Sequence, residues 1–155
     1  MATTRKTAWS KDVLRDLVEG RLDLDVLLAM QRAPKEEDRF EAILAIEQER
    51  VGWPEKILVP IGEHLYVVQK GDERIVKCSC GYEFGDYRRS WKYDAVVYVR
   101  DTEETLDEIY PGPRKCDPSW MGLREYYCPG CGTMLEVECV PPGYPIVFDF
   151  LPELD

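Results

Sequence analysis

Helical periodicity dominates the first third of the chain. Apolar residues recur three and four positions apart, and capping or helix-ending residues bound each run. We predict a first helix capped by Ser10 and ended by Gly20, a second capped by Asp23, and a third over 35–50. Because helices this short need a surface to cover, they either form an ordinary layer on the core of this chain or dock on another subunit.

After Trp53 the pattern changes to β-strands. Gly71-Asp72 gives a two-residue hairpin turn, and one further helix is predicted over 101–110. The predicted strands are 56–60, 64–70, 73–78, 93–100, 123–128 and 133–140. The pattern therefore predicts an α+β protein, with a helical segment over 1–52 and an antiparallel, zinc-ribbon-like β domain with one inserted helix over 53–155.

Two close cysteine pairs, each followed directly by glycine, form the most specific motif. The first pair is Cys78 and Cys80, in Cys-Ser-Cys-Gly, and the second is Cys128 and Cys131, in Cys-Pro-Gly-Cys-Gly. Four thiolates can surround one ion tetrahedrally, and glycine allows the tight turn that points backbone N–H groups at the sulfurs. We predict that these four cysteines bind a structural zinc ion, which would have no open position for catalysis.

Three other residues carry side chains that metals or protons can bind. His64, the sole histidine, is interpreted as a packed or exposed strand residue because it has no partner histidine. Cys139, near the end of a strand, is predicted to be a small core hydrophobe. Cys116 lies in a polar loop and is an alternative metal ligand.

Aromatic and basic residues alternate after the first cysteine pair. The segment contains Tyr82, Phe84, Tyr87, Trp91 and Tyr93, with Arg88, Arg89 and Lys92 between them. Such interleaving is found in stacking platforms for single-stranded nucleic acid, but aromatics at this spacing more often pack in a core. The chain has 20 Lys and Arg against 30 Asp and Glu, a net charge of −10, which would repel phosphates. We therefore predict core packing and no nucleic-acid binding.

The hydropathy of the chain bears on its compartment. The first residues contain no apolar run that could act as a signal peptide, and no window approaches the roughly 18 apolar residues of a membrane span. We therefore expect a cytoplasmic protein with reduced cysteines and no membrane contact.

A Cys-x-x-Cys pair can also shuttle electrons or hold iron, and both alternatives stay open. Redox pairs normally lie at the start of a helix, whereas a β-rich run follows Cys131. The second cysteine arm looks like half of a rubredoxin, but the first arm has one residue between its cysteines where a rubredoxin has two. The sequence contains no glycine-rich phosphate loop and no nucleophile elbow, so no catalytic residue is predicted.

Short motifs occur in a specific order and spacing along nearly the whole chain. They are Glu49–Trp53, Lys56–Pro60, Cys78–Gly81, Arg100–Thr102, Glu108–Pro111, Pro118–Trp120, Arg124–Gly132 and Tyr144–Phe150. In this order and spacing they resemble one family, the small zinc-bearing subunit of the acetone carboxylases and the related acetophenone carboxylase. Acetone-type members are expected to continue beyond the Asp-Phe motif, whereas this sequence ends at Asp155, so the resemblance favours the acetophenone type.

The resemblance implies a role in an enzyme that carboxylates a ketone with bicarbonate and ATP, without biotin. ATP, any further metal and the chemistry are expected in large hydantoinase-like partner subunits. The present chain would then be a non-catalytic assembly subunit of a hetero-oligomer. The four cysteines carry over as zinc ligands, and no catalytic residue carries over.

Overall fold

Residues 9–154, the range that the computed structural model describes, form N-terminal helices followed by antiparallel sheets. The α-helices are α1 (Lys11–Val18), α2 (Leu24–Arg32), α3 (Arg39–Arg50) and α4 (Glu103–Asp107). The strands are β1 (Lys56–Pro60), β2 (Leu65–Lys70), β3 (Glu73–Cys78), β4 (Glu83–Asp86), β5 (Val96–Arg100), β6 (Gly122–Tyr127) and β7 (Met134–Val140). This architecture confirms the predicted α+β class. Within the described range, no helix is long and apolar enough to cross a membrane.

The N-terminal helices begin where the sequence predicts, with one exception. Ser10 Oγ accepts a hydrogen bond from the Val13 amide, and Asp23 Oδ1 accepts one from the Asp25 amide. The third helix was predicted from residue 35, but it starts at Arg39. Residues 35–38 precede it because the Glu36 carbonyl accepts from the Arg39 amide in a turn, and the Glu36 carboxylate also binds the Arg39 side chain.

The strands form two separate antiparallel sheets, with the orders β1-β2-β3-β4 and β5-β6-β7. The predicted hairpin at Gly71-Asp72 is present, since Lys70 pairs with Glu73. Strand β4 was not predicted. It is short, it carries Gly85 at a φ of +87°, and its pairing with β3 is interrupted by a register shift, so it lacks a clear strand pattern.

Two predicted elements after the aromatic segment are shorter in the structure. The strand predicted over 93–100 begins at Val96, because Trp91–Asp94 forms a 3-10 turn. The helix predicted over 101–110 spans only Glu103–Asp107 and is capped by reciprocal hydrogen bonds between Thr102 and Thr105.

The main core lies between the two sheets and contains the predicted aromatic cluster. Tyr82, Phe84, Trp91 and Tyr126 pack edge to face in sequence, with ring centroids 5.0 to 5.8 Å apart. Leu65, Val67, Val76, Cys78 and Cys128 complete the buried cluster. Core packing of the aromatics is therefore confirmed for most of the segment, whereas Tyr93 is exposed.

Candidate metal centre

The four predicted cysteine ligands lie in two hairpin loops that belong to different sheets. Cys78 ends β3 and Cys80 follows in the turn to β4, while Cys128 and Cys131 lie between β6 and β7. In each loop the glycine amide donates to the carbonyl of the first cysteine at 2.8 Å, from Gly81 to Cys78 and from Gly132 to Cys128. Both glycines have a positive φ, which explains why glycine is needed there.

The spacing of the sulfur atoms fits one tetrahedral ion. All four Sγ atoms lie within 4.8 Å of one another. The Sγ atoms of Cys78 and Cys131 are 3.9 Å apart, and those of Cys80 and Cys128 are 3.7 Å apart. Zn–S bonds of about 2.3 Å in a tetrahedron give S–S distances of about 3.8 Å. The site could therefore hold a zinc ion, and iron with four thiolates has the same geometry.

The four thiols differ in burial and in acidity. Cys78 and Cys128 are buried, whereas Cys80 and Cys131 are exposed. Burial raises the pKa of Cys78 to about 12 and also raises the pKa of Cys128. Hydrogen bonding with the Thr133 side chain and backbone lowers the pKa of Cys131 to about 6. A metal ion would thus have to displace the protons of the buried Cys78 and Cys128 thiols.

Trp53 and His64 support the first cysteine loop from outside. The Trp53 indole Nε1 donates to the Ser79 carbonyl at 3.3 Å, and the Ser79 amide donates to the His64 carbonyl at 2.9 Å. His64 Nδ1 lies 3.3 Å from Ser79 Oγ and is not in the sulfur cluster. His64 is half-buried and lies just before β2, not within the strand that was predicted from residue 64.

The two remaining cysteines lie outside the cluster. Cys116 Sγ donates to the Met121 carbonyl at 3.4 Å, so the alternative of Cys116 as a ligand is not supported. The prediction of Cys139 as a core residue is wrong, because its side chain is exposed. Cys139 shares a face of β7 with the exposed Val137, and the side-chain alternation of a strand therefore places it outside the core.

A comparison with known protein families shows to which family the chain belongs. The model of the family described as "Acetone carboxylase gamma subunit" matches residues 51–155, which include all seven strands and the four clustered cysteines. The chain belongs to the acetone carboxylase gamma subunit family.

Two relatives show how far the similarity to this gamma subunit family extends. The acetone carboxylase gamma subunit of Xanthobacter autotrophicus is 41% identical over 150 residues, which cover 96% of this chain and 89% of the relative. The acetophenone carboxylase beta subunit of Aromatoleum aromaticum is 33% identical over 86 residues, covering 54% of this chain and 67% of the relative. The preference for the acetophenone type is therefore unconfirmed.

This member of the gamma subunit family also contains a charged cluster around Lys92 that the sequence did not predict. The Lys92 ammonium is 2.7 Å from Glu136, 2.6 Å from Glu138 and 3.0 Å from Asp149. Burial alone would lower the pKa of Lys92, but the hydrogen bonds that its ammonium donates to these carboxylates outweigh burial and raise the pKa. Lys92 therefore supplies the positive charge that the three carboxylates surround. It is buried and does not belong to a basic surface. Its partners are 44 to 57 positions away, so no local pattern indicates them.

Proposed function

We propose that this chain is a non-catalytic, zinc-stabilised subunit of an ATP-dependent, biotin-independent ketone carboxylase. The observation that carries the proposal is the sulfur cluster of Cys78, Cys80, Cys128 and Cys131, whose spacing suits a tetrahedral thiolate site. Four cysteine ligands leave no position for water or substrate, so the ion supplies stability to the fold and no chemistry. Because the chain belongs to the acetone carboxylase gamma subunit family, we assign it to a carboxylase complex.

The reaction is the carboxylation of a ketone by bicarbonate to give a 3-oxo acid. Its catalytic residues, the ATP site and any further metal lie in large hydantoinase-like partner subunits. Acetone and acetophenone are the candidate ketones, and the similarity along 96% of this chain to an acetone carboxylase subunit supports acetone. Reduced thiolates at the metal are consistent with a cytoplasmic location.

We divide the chain into a docking segment, 1–52, and a zinc domain, 53–155. The range of the family model, 51–155, supports this division. One side of α3 contacts the four-stranded sheet, since Tyr66 Oη of β2 donates a hydrogen bond to Glu47 Oε2 at 2.8 Å. Leu24 and Phe40 are exposed on the helices and are available to a larger subunit.

Metal analysis of the assembled enzyme tests the proposal. The chain is co-expressed with its carboxylase partner subunits, purified through a tag on a partner, and analysed for zinc by mass spectrometry. We expect one zinc ion per copy of this chain, and we expect chelation to release the chain from the complex. Full assembly after complete removal of the metal would contradict the structural role.

One observation favours a second candidate, a thiol redox function. Cys131 is exposed and its pKa is lowered to about 6, so in the metal-free protein it would be a thiolate at neutral pH. A reversible Cys128–Cys131 disulfide in the purified chain would favour this function. Visible absorbance would instead favour iron.

A further inference from the structure

Strand β5 forms an unusually apolar edge of the three-stranded sheet. Four of its five residues, Val96, Val97, Tyr98 and Val99, are each between 37% and 55% exposed, so both faces of the strand are open to solvent. In the described part of the chain β5 pairs only with β6, and that register runs without a shift from Val96 to Arg100. Edge strands are normally protected by charges, proline or a bulge, and the first four residues of β5 have none of these.

A recess lies on one face of the three-stranded sheet, where Val99 of β5 forms one of its walls. It has a volume of about 150 Å³ and is also lined by Gly122, Val140, Pro141 and Tyr144, with Asp101 and Arg124 contributing polar atoms. Because Val99 lies on the open strand and borders this recess, the surface is suited to a peptide that adds to the sheet: backbone pairing gives affinity, and a side chain that reaches past Val99 gives specificity.

The charges around β5 disfavour a second copy of this chain as the occupant. After β5, Glu108 pairs with Arg100, and Glu103 and Asp107 pair with Lys115. The exposed carboxylates of Asp101 and Glu104 also follow β5. The whole chain has a net charge of −10. Pairing two copies through β5 would therefore bring together two chains that each carry this negative charge, whereas a basic partner would be attracted.

We propose that β5 binds an extended strand of a larger carboxylase subunit. That strand carries Lys or Arg opposite the acidic residues after β5, and it places one apolar side chain in the recess beside Val99. This inference rests on the proposed function, because it requires a carboxylase complex to which the chain belongs.

Two matched lysine variants test the inference in the co-expressed complex. Val99 and Val137 are 44% and 45% exposed, and the strand register places them on opposite faces of the same sheet. Val99→Lys should raise the Kd of the chain for its partner subunits at least about tenfold, whereas Val137→Lys should change it less than about twofold. Val97→Lys is a second edge variant in case Val99→Lys fails to fold.

Hydrogen exchange of the wild-type chain gives a readout that needs no variant. The backbone amides of Val96–Arg100 that face the open edge should exchange more slowly in the complex than in the free chain. If the chain binds its partners but both edge variants bind normally and these amides stay unprotected, the β5 inference is wrong and the proposed function stands. If the wild-type chain binds no carboxylase subunit, the proposed function itself fails. Protection of β5 in a dimer of the free chain would identify a second copy as the occupant and overturn the inference.

Discussion

The sulfur atoms of Cys80 and Cys128 lie 3.7 Å apart, although the two residues are 48 positions apart in the chain. Each belongs to a hairpin of a different sheet, and the aromatic core lies between those sheets. A metal at this point would hold the two sheets together and would close the long loop between Cys80 and Cys128. Closing a longer loop removes more conformational entropy from the unfolded chain.

Removal of one sulfur should therefore affect both metal binding and stability. We expect Cys128→Ser to weaken zinc binding by more than about 100-fold, since loss of a direct ligand should exceed the effect of losing an outer hydrogen bond. Zinc content and thermal unfolding measure the result. Cys139→Ser is the matched control, because Cys139 is exposed and outside the cluster. Full zinc content in Cys128→Ser would exclude Cys128 as a ligand.

The second cysteine loop depends on a close contact at Gly130. A Cβ atom added there would lie 2.9 Å from Tyr82 Cβ and 3.1 Å from Tyr82 Cδ2. Because Tyr82 packs on Phe84, Gly130→Ala should shift the loop or the ring and cost about 1–3 kcal/mol of unfolding free energy. Urea unfolding measures this cost. Gly52→Ala, where nothing lies within 4 Å of the added Cβ, should change stability by less than about 0.5 kcal/mol.

Local patterns predicted much of this structure. The cysteine loops could be predicted because each needs only a few neighbouring residues, two cysteines and a glycine whose φ is positive. The α1 cap at Ser10 and the hairpin at Gly71 are similarly local. These features depend on short-range hydrogen bonds, and the sequence therefore shows them directly.

The features that could not be predicted depend on distant residues. The burial of Lys92 depends on carboxylates on β7 and at Asp149, and the residues next to Lys92 in the sequence do not indicate these partners. The exposure of Cys139 depends on which face of β7 is covered, and the sequence pattern does not indicate that the strands divide into two sheets.

Removing the cation of the Lys92 cluster should destabilise the fold. Lys92→Met removes the cation from Glu136, Glu138 and Asp149, which would then repel one another at short range. We expect a loss of about 1–3 kcal/mol at neutral pH, because Lys92 is buried whereas Glu136 and Asp149 are partly exposed to water. Urea unfolding measures it, with Lys70→Met as the control.

The control removes a similar contact from an exposed site. Lys70 pairs with Glu83 at 2.6 Å, but both side chains are well exposed, so its loss should cost less than about 1 kcal/mol. Equal effects of the two substitutions would mean that the Lys92 cluster contributes no more than an ordinary surface ion pair.

Acid should weaken the attachment of Arg100 to Glu125. The hydrogen bond from Arg100 lowers the pKa of Glu125 below its ordinary value, despite the opposing effect of burial. A depressed carboxyl pKa contributes stability that is present above the unfolded pKa of about 4.3 and is lost as pH falls through the lower folded pKa. Glu125→Gln should therefore cost about 1–3 kcal/mol near pH 7 and progressively less below about pH 4. Urea unfolding of both proteins at each pH measures this difference, in which acid effects common to both cancel. A difference that stays constant down to pH 3 would show that the carboxylate charge of Glu125 does not stabilise the sheet.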